Sequence, residues 1–111
     1  MQDSYVSGTV FFFQSMEELA QELSDAGFTV TTGQWALHLT GCARRFEIAY
    51  VGNLSPEAPF QVTGDGYGLP VQAVAECCER LSACLRERGI GHDFLHASGR
   101  DEEIRAYQFA P

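Results

Sequence analysis

The segment from Ser15 to Gly27, SMEELAQELSDAG, admits little besides one short amphipathic helix, and this limits what the rest of the chain can be. Ser15 is a favoured N-cap. Glu18, three residues on, completes a capping box in which the two side chains satisfy backbone donors that the first turn leaves free. Met16, Leu19, Ala20, Leu23 and Ala26 recur at helical spacing and form one apolar stripe. Gly27 supplies the left-handed residue on which such helices end. A helix this short is marginal alone and needs a second layer to cover its stripe.

The flanking segments supply that layer. Tyr5 to Phe13 is rich in β-branched and aromatic residues and reads as a strand. Its last residues are apolar on both faces, so a central place in a sheet is expected. FTVTTGQWALHLT alternates, with Phe28, Val30, Trp35, Leu37 and Leu39 on one side, and Thr32-Gly33-Gln34 breaks it into two strands. RRFEIAYVG alternates again through Phe46, Ile48 and Tyr50, and FQVTG suits a further short strand. GDGYG is a glycine-dense turn leading to Pro70, a favoured first helical residue. A second helix is expected from Pro70 to Arg88, stopping at Gly89. GIGHDFLHA and EIRAYQF read as two closing strands. The pattern predicts a single α+β domain over residues 1–111. It would be a two-layer sandwich with two helices on one face of a mostly antiparallel sheet of about five or six strands.

ECCERLSACLRERGIGHDFLH, from Glu76 to His96, gathers three of the four cysteines and two of the three histidines, so it decides whether chemistry is expected. Val71, Val74, Cys78, Leu81 and Leu85 form one stripe on the second helix, with Cys77 and Cys84 beside it. Free cysteine behaves as a small hydrophobe, so reduced, structural cysteines are expected. His92 and His96 have H-x3-H spacing, but on a strand residues four apart lie about 13 Å apart, too far to share one ion. No C-x2-C pair accompanies them. A mid-helix cysteine on an apolar stripe would also have a raised pKa and little access. Cys42, after Gly41, is the better-placed thiol, yet nothing around it forms a nucleophile signature. No set of nucleophile, base and orienting group is visible, so no enzyme activity, catalytic residue, metal or cofactor is expected.

Charge narrows the partner. The chain carries 15 acidic and 7 basic residues, a net charge of -8, and every basic residue is Arg. Without Lys there is no P-loop lysine and no Schiff base. The acidic balance disfavours nucleic acid and favours a basic protein. The N-terminus has neither the basic segment nor the apolar run of a secretory signal, and the longest apolar run, TVFFF, is too short to span a bilayer, so a cytoplasmic protein is expected. The GDGYG turn lacks the lysine and register of a phosphate loop, and its Asp65 would repel phosphate. Its Tyr67 is expected to be exposed and suits a contact residue instead. SGRDEEIR gathers Asp101, Glu102 and Glu103 in a turn. Asp65, Tyr67, Asp101, Glu102 and Glu103 are therefore the expected partner-binding residues, provided the two loops share one end of the sheet. The outer face of the first helix, Glu17, Glu18, Gln21 and Glu22, is the second choice.

The opening strand–Ser–helix segment, GTVFFFQSMEELAQELSDAG, together with the size, acidity and α+β pattern, resembles small immunity proteins of bacterial polymorphic toxin systems. The resemblance implies a cognate toxin neutralised by direct binding, and it carries over no catalytic residue. The alternative is a small ligand-binding or regulatory domain, dimeric through its open sheet face, with Trp35, Tyr50 and Tyr107 lining that face.

Overall fold

The computed structural model describes residues 4–41, 45–98 and 103–111. Among these residues the chain forms β1 (Ser4–Phe11), α1 (Met16–Asp25), β2 (Thr29–Thr32), β3 (Ala36–Thr40), β4 (Arg45–Tyr50), β5 (Phe60–Asp65), α2 (Val71–Glu87), β6 (Gly91–Ser98) and β7 (Glu103–Phe109). The strands make one antiparallel sheet in the order β2-β3-β4-β5-β1-β6-β7, and it does not close on itself. This is the expected α+β arrangement with a higher strand count, seven against five or six. FQVTG, expected as a short strand, continues through Asp65 as an interior strand laddered to both β4 and β1. Asp65 is thus the last residue of a strand and not part of the glycine turn.

The first helix forms as its capping residues require. The Ser15 hydroxyl accepts the Glu18 backbone N–H at 3.1 Å and also bonds the Glu18 carboxylate at 3.1 Å. Gly27 takes φ 97° at the far end, in the left-handed region. In α2, Pro70 stands one residue outside the helix as its N-cap, with extended backbone, and Gly89 ends it at φ 69°.

Both helices connect parallel strands. With every ladder antiparallel, β1 and β2 point the same way, and α1 carries the chain between them past β5, β4 and β3. β5 and β6 also point the same way, and α2 carries the chain over β1 between them. α1 packs against β2 and β3, and α2 against β6 and β7. Strand register explains why the two meet one face. Val6 and Val10 lie level with His96, Phe60 and His92, and Ile48 with Val62 and Leu37. These side chains share one core with Leu19 and Leu23 of α1 and Leu81 and Leu85 of α2. Gly8 sits in the middle of this face on β1. A Cβ there would come within 2.3 Å of the Phe94 Cα and the Asp93 carbonyl oxygen, so the closest approach of β1 to β6 requires glycine. The opposite face carries Thr9, Gln61, Thr63, His38, Glu47 and Asp93, and no helix covers it among the described residues.

Candidate functional site

The cysteine- and histidine-bearing segment lies inside. Cys78, Leu81, Cys84 and Leu85 of α2 are buried in the core. Burial, with some help from Glu79, pushes the Cys78 thiol up to about 12, and burial also raises Cys84. Neither thiol supplies a thiolate near neutral pH. Cys78 and Cys84 are free, as expected. Cys77 corrects the expectation of a fully reduced set, because it is disulfide-bonded. It is buried all the same. Cys42 lies outside the described residues.

His92 and His96 both point from β6 toward α2, and both are buried. His92 Nδ1 lies 3.1 Å from the Ile90 carbonyl oxygen, which can only accept, so Nδ1 carries the proton. Nε2 then accepts from the Ser82 hydroxyl at 2.7 Å. A serine so close to a histidine has the contact of a nucleophile and its base. Here Ser82 is 7% exposed and His92 1%, and the second imidazole nitrogen serves a backbone carbonyl and not a carboxylate. The pair joins α2 to β6 and offers no surface to a substrate. Burial lowers the pKa of both histidines, and Arg105 lowers that of His96 further. His96 Nε2 has no hydrogen-bond partner among the described residues. No group of three metal-ligating side chains occurs among the described residues.

The expected partner-binding residues separate into those described and those not. Asp65 closes β5 and accepts the Tyr67 backbone N–H at 2.9 Å, folding the turn back on itself. Gly68 follows at φ 79°, and the Tyr67 side chain is about half exposed. Glu103 opens β7. Asp65 lies opposite Tyr5, Ser4 opposite Ser98, and Ser98 opposite Glu103. Asp65, Tyr67 and Glu103 therefore share one end of the sheet, with Asp65 and Glu103 three strand spacings apart, about 14 Å. They leave it on different sides: Asp65 falls on the open face beside Tyr5 and Arg45, and Glu103 on the helix face with Arg105. Exposed Tyr5 and Ile104 lie in the same cross-strand row on the open face. Asp101 and Glu102 lie outside the described residues. On the second-choice surface, Glu18 is engaged by Ser15, Gln21 by Asp25 at 2.8 Å and Glu22 by Arg88 at 2.8 Å.

The opposite end of the sheet has another character. Eight large hydrophobic side chains are exposed among the described residues, and Phe11, Phe13, Trp35, Tyr50 and Leu54 stand at this end. They are linked. The Tyr50 N–H donates to the Trp35 carbonyl at 2.8 Å, and the Tyr50 ring meets Phe60 at 5.5 Å. Phe60 meets Phe12 at 6.1 Å, and Phe13 follows in the chain. Leu54 sits in the β4–β5 turn, its N–H donating to the Val51 carbonyl at 3.0 Å. Sequence alternation assigned Trp35 to the side of Leu37 and Leu39, and it missed the surface because Trp35 precedes β3, beyond the covered part of the sheet. A triple Phe run passing directly into a helix cap was the available signal, since one strand cannot bury all three.

The proposed aromatic lining of the open face is corrected. The Tyr50 ring packs on Phe60, and Tyr107 stacks on Phe94 at 5.2 Å, both on the helix side. The open face instead carries His38, whose Nδ1 is 3.6 Å from the Glu47 carboxylate, beside a cleft of about 520 Å³ that Arg45 also lines. No helix among the described residues is long and apolar enough to cross a membrane. Compared with known proteins, the chain matches no family model, no curated protein and no solved structure.

Proposed function

We propose that the chain is a small acidic binding protein that docks on a basic protein partner and inhibits it, as immunity proteins do to their cognate toxins. The observation that carries this reading is that Asp65, Tyr67 and Glu103, from the end of β5, the turn after it and the start of β7, stand at one end of the sheet. With a net charge of -8, such a protein attracts a basic partner over distance and repels other acidic proteins. The described interior supports a binding role over a catalytic one, because its serine–histidine contact is closed and the free thiols of Cys78 and Cys84 are buried.

The test is kinetic. Affinity capture and mass spectrometry supply candidate partners, and the association rate is then measured across salt. It should fall by about tenfold or more between ~50 mM and ~500 mM salt, because steering is screened. Asp65→Asn with Glu103→Gln should lower it further at low salt. A rate that ignores salt, or a set of partners as acidic as the chain itself, would sink the proposal.

A ligand-binding or regulatory role is the second reading, favoured by the cleft beside His38, Arg45 and Glu47, which is of ligand size. Saturable thermal stabilisation by a small anion, lost in Arg45→Ala, would select it.

A further inference from the structure

We propose that the aromatic end of the sheet, centred on Phe13, Trp35 and Leu54, is the anchoring surface for a protein partner that presents apolar side chains among Lys and Arg. The inference rests on the reading of a basic partner and separates two tasks that one surface need not perform together. Steering acts through the field of the whole molecule and needs no contact. Slow dissociation needs buried area, and that comes from large, desolvated side chains, with aromatic residues prominent among them.

The aromatic end meets the second requirement. Leu54 is 89% exposed, Phe13 69% and Trp35 62%, so each has most of its area still to bury. The contacts through Tyr50, Phe60 and Phe12 tie the turns that carry them to the core and hold these turns in place without a partner. Anchors held in position lose little conformational freedom on binding.

The rim identifies the occupant. Glu17 and Glu18 open α1 just after Phe13, and Glu57 lies in the turn that carries Leu54; all three are exposed. None of them enters an ion pair among the described residues. Among the described residues, the cations at this end are already engaged. Arg88 pairs with Glu22 at 2.8 Å, and Arg86 lies over the Phe109 ring at 5.7 Å and reaches the Gln108 carbonyl at 3.5 Å. An apolar centre edged by carboxylates outside any ion pair among the described residues favours a basic surface. A second copy of this chain would bring the same carboxylates together, which costs association.

Trp35 is the chain's one tryptophan, so its emission reports on this surface directly. The probe is a synthetic Leu–Lys amphipathic helical peptide of about 18 residues, with a Leu–Glu counterpart of the same apolar face as control. The full chain should give a saturable blue shift with the Leu–Lys peptide and none with the Leu–Glu peptide. Phe13→Ser with Leu54→Ser should weaken binding at least about tenfold, since anchor residues carry most of the energy. Both positions are exposed, and an unchanged circular dichroism spectrum confirms that the variant folds. Asp65→Asn with Glu103→Gln, at the other end, should leave the peptide affinity within about twofold, because distant rim charges act mainly on encounter. Equal binding of both peptides, or binding that survives the Phe13→Ser and Leu54→Ser pair, overturns the proposal. So does a blue shift on concentrating the protein alone, which would make a second copy the occupant. With a captured natural partner the two readings separate. Sensitivity only to Asp65→Asn and Glu103→Gln removes the aromatic anchor and keeps the basic partner, whereas salt-independent association removes the basic partner itself.

Discussion

The core under α1 and the core under α2 solve the same problem with different materials. Beneath α1, Leu19 and Leu23 meet Phe28, Leu37 and Leu39, all hydrocarbon and all buried. Beneath α2, Leu81, Leu85 and Phe94 share the interior with Cys78, Cys84, Ser82, His92 and His96, and Tyr107 packs against it. The first half is held by hydrocarbon packing, with Arg80 over the Phe28 ring at 4.8 Å at its edge. The second must also satisfy polar groups, and it does so unevenly: His92 has partners on both nitrogens, whereas His96 Nε2 has none among the described residues. Residue types that suggest a reaction centre in the sequence are here the packing of one helix, and what separates the two meanings is access.

The comparison is broken most severely on the hydrocarbon side. Leu23→Ala removes a fully buried side chain from a region with no polar contact to compensate. It should cost about 2–5 kcal/mol, measured by urea unfolding, because the transfer loss is joined by that of an incompletely collapsed cavity. A smaller loss would mean that α1 settles into the space, and that the α1 side is the looser half.

The polar half should respond to context more than to volume. Ser82→Ala deletes only a hydroxyl, yet it leaves His92 Nε2 buried without a donor and should cost about 1–3 kcal/mol. Ser82→Ala combined with His92→Leu should recover part of that loss, since removing both partners leaves nothing unsatisfied. If the double variant loses the plain sum of the single ones, the 2.7 Å contact contributes nothing of its own.

This contrast also marks what could be read without the structure. The whole of α1 was legible, from the Ser15 cap to the Gly27 stop, because every signal for it is local. So were the buried stripe of α2, the shared face of His92, Phe94 and His96, and the outward-facing His38. Strand order was not legible. β1 sits between β5 and β6 by pairings across long stretches of chain, and no local pattern encodes such partners. The same reason hid the common end of Asp65 and Glu103, which depends on register through β1 and β6. The aromatic end escaped because alternation predicts which side of a strand a residue takes but not where the covering helix stops. Phe13 and Trp35 fall just outside their strands.

The gentlest probe of the two halves is pH. His92 and His96 have folded-state pKa values lowered from 6.5, first by burial and, for His96, then by Arg105. Above 6.5 both are neutral in the folded and unfolded chains, and their contribution to stability is fully present. As pH falls through 6.5 the unfolded chain takes up protons that the folded chain refuses, so stability declines until the folded-state values are passed. Urea midpoints should therefore be level from about pH 8 to 7 and fall from about 6.5 to 5, with a slope of at most about 1.4 kcal/mol per pH unit for each histidine. His96→Leu should flatten that fall, since its Nε2 has no hydrogen bond to lose. Leu23→Ala should lower the whole curve without changing its shape, because the two histidines with lowered pKa lie in the other half. If the two variants changed the curve in the same way, the division of the core into two kinds would not hold.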